Sequence, residues 1–346
     1  MSKHFLVIAI LLALPLETAN AEKKVQVSVS PSIGYSLGKT EYILNVATYR
    51  ADNNGDVITD QFGEPIVFLV KSQLEYPLDV VTGGARIRLV PVHDPGLWSI
   101  EAGVLTSLND PKGAMKDSDW DAASGFYELT KWSYTESSPE MKSLMLDIEA
   151  TRRILTRGKV QIAVLAGFRY YKIEQDLFGV DGWQRIFDPV TLTYSEQFFF
   201  DELADTQVLF YEVKYSMPQI GLNLSTDLSP KVAARLKTVF TPVWYEDVDD
   251  HVLRNKLSTS DGTGTGFVGS LNIHYDISSG QAQSAPFIDF FAEVMTLTAS
   301  GDQTQEWYGD DPASPGSDDT GLRIDGLPHE VNSTRFHFGV KIGMSL

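Results

Sequence analysis

Apolar and polar residues alternate one by one in segment after segment. In "LWSIEAGVLTS", Trp98, Ile100, Ala102 and Val104 share one face, and Ser99, Glu101, Gly103 and Ser107 share the other. In "SLMLDIEATRR", Leu144, Leu146, Ile148 and Ala150 alternate with Asp147, Glu149, Thr151 and Arg153. The final segment sets Phe336, Phe338, Val340, Ile342, Met344 and Leu346 against Arg335, His337, Gly339, Lys341, Gly343 and Ser345. Successive strand side chains point to opposite faces, so these segments read as strands with one apolar and one polar face.

A soluble sandwich would bury the apolar faces against a second sheet. An outer-membrane barrel turns them to lipid and keeps the polar faces in the lumen. The polar faces here carry many charges, including Arg235, Lys237, Asp289 and Glu293. Short polar turns (93–96, 156–158, 226–231 and 278–285) alternate with long connections, and the chain ends on an alternating strand. These features predict an all-β fold, a ten-stranded antiparallel transmembrane β-barrel extending above the outer membrane. The strands fall near 24–42, 64–92, 97–109, 140–155, 159–176, 205–225, 231–248, 265–277, 286–299 and 334–346. The long connections, 43–63, 110–139, 177–204, 249–264 and 300–333, then lie on the outer side. A strand of nearly 30 residues exceeds the ~10 that cross a bilayer, so the barrel should rise above the membrane. Ten strands enclose a lumen filled mainly by side chains.

Before the barrel, "MSKHFLVIAILLALPLETANA" combines a basic start, an apolar run from Phe5 to Leu16 and Ala19-Asn20-Ala21. That is the pattern of a secretory signal peptide over residues 1–21, leaving one barrel domain over 22–346. There are no cysteines, which excludes disulfides and thiolate chemistry. A formal net charge of -18 argues against nucleic acid and favours cationic partners. No cluster has metal-ligand spacing, so neither metal nor redox cofactor is expected. "GYSLG" at 34–38 matches a nucleophile-elbow pattern, but it runs smoothly through a strand instead of a strand-turn-helix.

Two acidic clusters could carry chemistry. Continuing the seventh strand through "VWYEDVDDH" points Asp247, Asp249 and His251 into the barrel mouth, while Glu246 and Asp250 point away. A carboxylate two positions from an imidazole can fix its tautomer and favour its cationic form, as a general base requires. In "KDSDWD", Asp117 and Asp119 share one face of an extended backbone, where two carboxylates could hold and polarise a water. Taken alone, each cluster reads first as a solvated acidic loop.

The chain resembles the omptin family, ten-stranded outer-membrane endopeptidases that cleave beside basic residues. "SQLEY", "LWSIEAGVLTSL", "KDSDW", "YTESSP", "YSMPQIGL" and "DVDDH" carry the resemblance, in order along the chain. It implies that Asp249 and His251 form the catalytic dyad, that Asp117 and Asp119 position the water, and that no covalent intermediate forms. It implies an aspartyl-type endopeptidase for cationic peptide or protein substrates, with Asp247 and Glu41 as substrate-binding residues. The text after "GKT" is one residue short of the family's register, and strict alternation turns Glu41 outward. Family members need lipopolysaccharide. The matching outward positions are Tyr170, Lys172 and Lys214, with Phe168 where the family has a tyrosine and Tyr170 where it has a glutamate. The resemblance places the protein in the outer membrane of a Gram-negative bacterium as a monomer, with its active site facing outside. The alternative is a non-catalytic outer-membrane adhesin or receptor that binds cationic ligands through acidic loops.

Overall fold

The computed structural model describes residues 25–49, 59, 62–63, 65, 67–94, 96–122, 129–188, 193–277, 285–312 and 318–346. The signal peptide expected at 1–21 lies outside the described residues. Among the described residues twelve strands follow one another: β1 (Val25–Tyr49), β2 (Val67–Pro77), β3 (Val81–Pro91), β4 (Trp98–Ser107), β5 (Met115–Ala122), β6 (Thr130–Arg157), β7 (Val160–Asp188), β8 (Thr193–Ser229), β9 (Val232–His251), β10 (Lys256–Asp276), β11 (Ala285–Trp307) and β12 (Arg323–Ser345). The order β1-β3-β4-β6-β7-β8-β9-β10-β11-β12 closes through antiparallel pairing of β12 with β1, giving a ten-stranded barrel.

The two additional strands are the upper halves of bent ones. The expected strand at 64–92 breaks between β2 and β3, yet Leu78 N and Val80 N still bond Gly38 O and Ser36 O on β1 at 3.0 and 3.2 Å. Gly38 has φ +135°, and a Cβ there would meet Thr334 O at 2.0 Å, so only glycine fits. Asp79 in this break accepts from Lys112 N and Gly113 N, each at 3.1 Å, which ties it to the break between β4 and β5. Above the breaks, β1, β2, β5 and β6 pair in succession and continue the wall.

The long connections are therefore mostly strand. The connection expected at 110–139 contains β5 and the start of β6, and the one at 177–204 is largely the upper β7–β8 hairpin. The one at 249–264 shrinks to a 3-10 turn, Val252–Arg254, between β9 and β10. Period-2 patterning does not announce these extensions because their outer face meets water and so needs no apolar residues.

Outward apolar side chains form a belt. Ile220 and Ile342 are 64% and 60% exposed, and Leu146, Leu222, Phe240, Phe267 and Phe338 are likewise exposed, which is stable against lipid. On β9 the belt ends at Trp244, beyond which Glu246 and Asp250 face out; on β12 it ends at Phe336, below Thr334, Asn332 and Glu330. Everything above these levels stands clear of the membrane. Inside the belt the lumen is crossed by ion pairs. Arg169 and Arg335 both reach Glu293 at 2.9 Å, Lys237 meets Glu149 at 2.6 Å and Arg86 meets Asp147 at 2.9 Å. His274 pairs with Asp289 and Asp276, whereas His337 bonds the Thr82 hydroxyl at 2.9 Å.

An aromatic floor separates this lumen from the open mouth. Tyr76 on β2 stacks on Tyr211 on β8 with ring centroids 3.9 Å apart, and Tyr42 on β1 meets the Tyr211 edge and the His329 ring. Tyr42, Tyr76, Tyr211 and Tyr215 are all buried, so side chains from opposite walls meet in mid-barrel.

Candidate active site

The site sits on this floor, between the β9–β10 hairpin and the β2–β5 wall. β9 stays in register with β10 to its last residue, pairing Asp247 with Ser260, Asp249 with Ser258 and His251 with Lys256. Regular pleating therefore extends to His251 and turns Asp247, Asp249 and His251 inward. Asp247 and Asp249 are 3% and 1% exposed, while Glu246 is exposed and Asp250 accepts a bond from the outer Tyr308 hydroxyl at 3.0 Å.

His251 Nε2 lies 3.0 Å from Asp249 Oδ2. A carboxylate on Nε2 holds the hydrogen there and leaves Nδ1 as the nitrogen that can take a proton. The turn bearing His251 is strapped from outside. Arg254 donates to Asp311 Oδ2 from Nε and a terminal nitrogen at 3.1 and 2.8 Å, and Trp307 Nε1 donates to the same oxygen at 3.2 Å. Tyr308 N bonds Asn255 O at 2.9 Å, and Asn255 Nδ2 bonds Asp310 O at 2.8 Å. Asn255 takes the left-handed conformation, φ 48°, that ends the turn. No short motif marks Asp311 as the anchor of His251.

Across the cleft, β5 carries Asp117 and Asp119. Their backbone is held by β2, with Leu74 opposite Asp117 and Ser72 opposite Asp119. Trp120 locks the strand in place, with Lys71 Nζ and Lys131 Nζ each 4.7 Å from its ring centroid. Both carboxyls are driven up from the ordinary range. For Asp117 the causes are desolvation, then the charges of Asp119 and Asp249; for Asp119 desolvation dominates, opposed by a Ser72 hydrogen bond and by His251. These are two acids poised to keep one proton between them.

The cleft holds unpaired polar atoms facing one another's walls. Asp117 Oδ1, Asp249 Oδ1, the Tyr76 hydroxyl and the Ser258 hydroxyl are shut off from solvent without a protein partner. In an open cleft such atoms are available for a water or a substrate to complete their bonding. Lys256, opposite His251, is buried as well; desolvation lowers it, while Asp249, Asp117 and Asp119 oppose that shift. Tyr76, Ser258 and Lys256 are thus site residues that sequence reasoning missed. Lys256 at least has a signal, since it occupies the first position of the hairpin's return strand.

Asp247 lies deeper. Ser260 donates to its Oδ1, and the Tyr211 hydroxyl is 3.5 Å from Oδ2. Burial pushes it up to about 8. Glu41 is not with it. It lies on the outer face of β1 at 2.8 Å from Lys39 and accepts from Gln73 at 3.0 Å, as strict alternation requires, and the inward neighbour Tyr42 takes the place in the pocket. Lys172 and Lys214 face each other across β7 and β8 on the outer wall, with Tyr170 two residues from Lys172. Both lysines are ion-paired. Lys172 meets Glu174 and Glu212 at 2.6 and 2.7 Å, and Lys214 also meets Glu212. Among the described residues there is no acidic or histidine cluster fit to hold a metal.

Comparisons with known proteins bear on this geometry. No curated protein sequence matches the chain. Among solved structures, the outer membrane protease OmpT from Escherichia coli superposes with a TM-score of 0.67 at 13% identity, over 95% of this chain and 99% of that one. A Pseudomonas aeruginosa FadL homologue covers 92% of this chain and 90% of its own at 12% identity, with a TM-score of only 0.24. The sequence profile of the Omptin family matches residues 23–285, which hold all of β1 to β10 and both acidic clusters. The chain belongs to the omptin family and is a β-barrel of the Gram-negative outer membrane.

Proposed function

We propose that the protein is an outer-membrane endopeptidase that cleaves peptides or proteins beside basic residues, with its cleft facing outside the cell. The observation that carries the reading is the Asp249–His251 pair, bonded at 3.0 Å, on one wall of a cleft whose other wall bears Asp117 and Asp119. His251 Nδ1 removes a proton from a water held by Asp117 and Asp119, and that water attacks the peptide carbonyl. The proton goes on to the leaving amine, and no side chain bonds to the substrate. Asp249 keeps the imidazole in the useful tautomer and orientation. Lys256 and the Tyr76 hydroxyl are the donors available for negative charge that develops on the carbonyl oxygen.

Asp247 receives the basic side chain before the scissile bond, and the acidic surface of a chain with net charge -18 draws cationic substrates in. The proposed protein acts as a monomer and uses no metal. Lipopolysaccharide is the proposed partner of the outer wall, its phosphates meeting Lys172, Lys214 and Tyr170 in competition with Glu174 and Glu212.

The test is direct. Refolded protein with lipopolysaccharide is incubated with a quenched dibasic peptide, and the products are mapped by mass. The reading expects a cut at or beside the basic pair that serine-directed reagents leave untouched. An inert, fully folded protein would point instead to a non-catalytic receptor for cationic ligands.

A further inference from the structure

Asp247 shares its pocket with an imidazole. His329 reaches in from β12 with its side chain wholly enclosed, and its Nε2 faces Asp247 Oδ2 at 3.6 Å without a hydrogen-bond partner. Its Nδ1 lies 2.7 Å from Ser260 Oγ and 3.1 Å from the Tyr245 hydroxyl. Ser260 already donates its single hydrogen to Asp247, so toward His329 it can only accept, and Nδ1 carries a hydrogen. In a neutral ring Nε2 is then a bare lone pair aimed at a carboxylate. Two acceptors facing each other in a dry pocket repel, and one proton between them removes the repulsion.

We propose that His329 is a specificity-determining residue: in the empty pocket it shares one proton with Asp247, and a cationic substrate side chain enters by displacing that proton to solvent. The inference rests on the reading of Asp247 as the seat of the basic side chain. The balance is simple: the pair loses one proton, Asp247 becomes a carboxylate beside a neutral His329, and the incoming cation replaces the departed charge.

Burial supports a single shared proton near neutral pH, pushing Asp247 up to about 8 and His329 down to about 4. The other groups facing the pair do not supply the missing cation. β9 adds Asp249 and Tyr245, β8 adds Tyr211 and Tyr215, β1 adds Tyr42 and β2 adds Tyr76. β10 adds Ser258 and Ser260, and β11 adds Gln303; Asp261 and Asp302 are exposed on the outer wall. Burial and the charge of Asp249 make loss of the proton harder until a cation arrives, against the Ser260 and Tyr211 hydroxyls, which favour the bare carboxylate.

Selectivity for a cation over a neutral isostere should therefore depend on pH. Below about 8, arginine must displace a proton whereas citrulline need not, so the arginine/citrulline ratio of kcat/KM rises toward about tenfold per pH unit and levels above it. The pH dependence of the catalytic step cancels in this ratio, because both peptides use the same machinery.

The experiment compares two quenched peptides that differ only in arginine or citrulline before the scissile bond, across about pH 5.5 to about 9. His329→Gln replaces the Nε2 acceptor with an amide that donates to the Asp247 carboxylate, so the proton leaves at lower pH and the ratio should be markedly flatter than in wild type across this range. Equal slopes in wild type and His329→Gln would overturn the proposal. A second measurement does not depend on cleavage or on that variant's folding. Calorimetry of His251→Ala binding each peptide, in buffers of different ionisation heat, should register about one proton released at neutral pH for arginine and none for citrulline. No proton released with arginine would overturn it. A wild type that cuts after arginine with a pH-independent ratio sinks this inference alone, whereas a wild type that cuts neither peptide sinks the endopeptidase reading with it.

Discussion

Below the aromatic floor, each of the acids Glu293, Glu149, Asp147 and Glu101 meets a guanidinium or ammonium group. Glu293 lies between Arg169 and Arg335, Glu149 takes Lys237, and Glu101 meets Arg86, Arg88 and Arg235. Above it, Asp117, Asp119, Asp247 and Asp249 crowd together, and desolvation and their neighbours hold Asp117, Asp119 and Asp247 up. Both regions bury acids on the inner face of the same barrel, the lower ones on β4, β6 and β11 and the upper ones on β5 and β9. The lower charges neutralise one another and fill a lumen that lipid surrounds, whereas the upper ones are left incomplete. Incompleteness costs folding free energy, and it persists where a substrate or a water finishes the bonding.

The largest effect should come from the catalytic wall. His251→Ala is expected to lower kcat by roughly 10²–10⁴ while the barrel keeps its resistance to heat in detergent. Retained cleavage would remove the general base from the mechanism. The corresponding damage in the lumen should be to stability and not to chemistry. Glu293→Gln leaves Arg169 and Arg335 facing a neutral amide and should cost about 3–5 kcal/mol, read as a lower unfolding temperature on heat-shift gels. An unchanged unfolding temperature would show that these pairs are ornamental.

Asp117 sharpens the contrast, because neutralising it should stabilise. Its folded pKa is raised, so between the unfolded value near 4 and the folded one the unfolded chain releases a proton that the native chain keeps. Stability contributed by this group is complete below the unfolded pKa and is lost as pH rises toward the folded pKa. Asp117→Asn abolishes that loss. The variant should be inactive yet unfold at higher temperature than wild type at neutral pH, by about 1–2 kcal/mol, and equal it near pH 4. A lower unfolding temperature at neutral pH would mean that Asp117 is paired in the working protein.

The barrel was legible because lipid enforces alternation: every outward position from Val232 to Trp244 on β9 is apolar or small. Where the wall leaves the membrane that pressure stops, and the upper reaches of β6, β7 and β8 passed for loops. Alternation still placed Asp247, Asp249 and His251 inward, because the pleat runs unbroken to the hairpin turn. It also turned Glu41 outward, where it lies. What one strand's pattern cannot give is the partner from a distant strand. His329 reaches Asp247 from β12 and Tyr76 reaches Tyr211 from β2, and only closure of the barrel brings them together.

Asp311 provides the finest break in the comparison, since it is a buried, paired acid in the upper region. It touches neither substrate nor dyad; it holds Arg254 and Trp307, and through them the turn that begins at His251. Asp311→Asn keeps the size and one acceptor but loses the charge, so the turn should loosen without dissolving. Because small misplacements of a catalytic group are costly, kcat is expected to drop by about tenfold with KM and the unfolding temperature nearly unchanged. A rise in KM alone would assign the strap to substrate binding, and an unchanged kcat would show that β9 positions His251 unaided. If kcat falls as expected, the paired acids of the upper barrel act as those of the lumen do, holding still the wall on which the unpaired ones work.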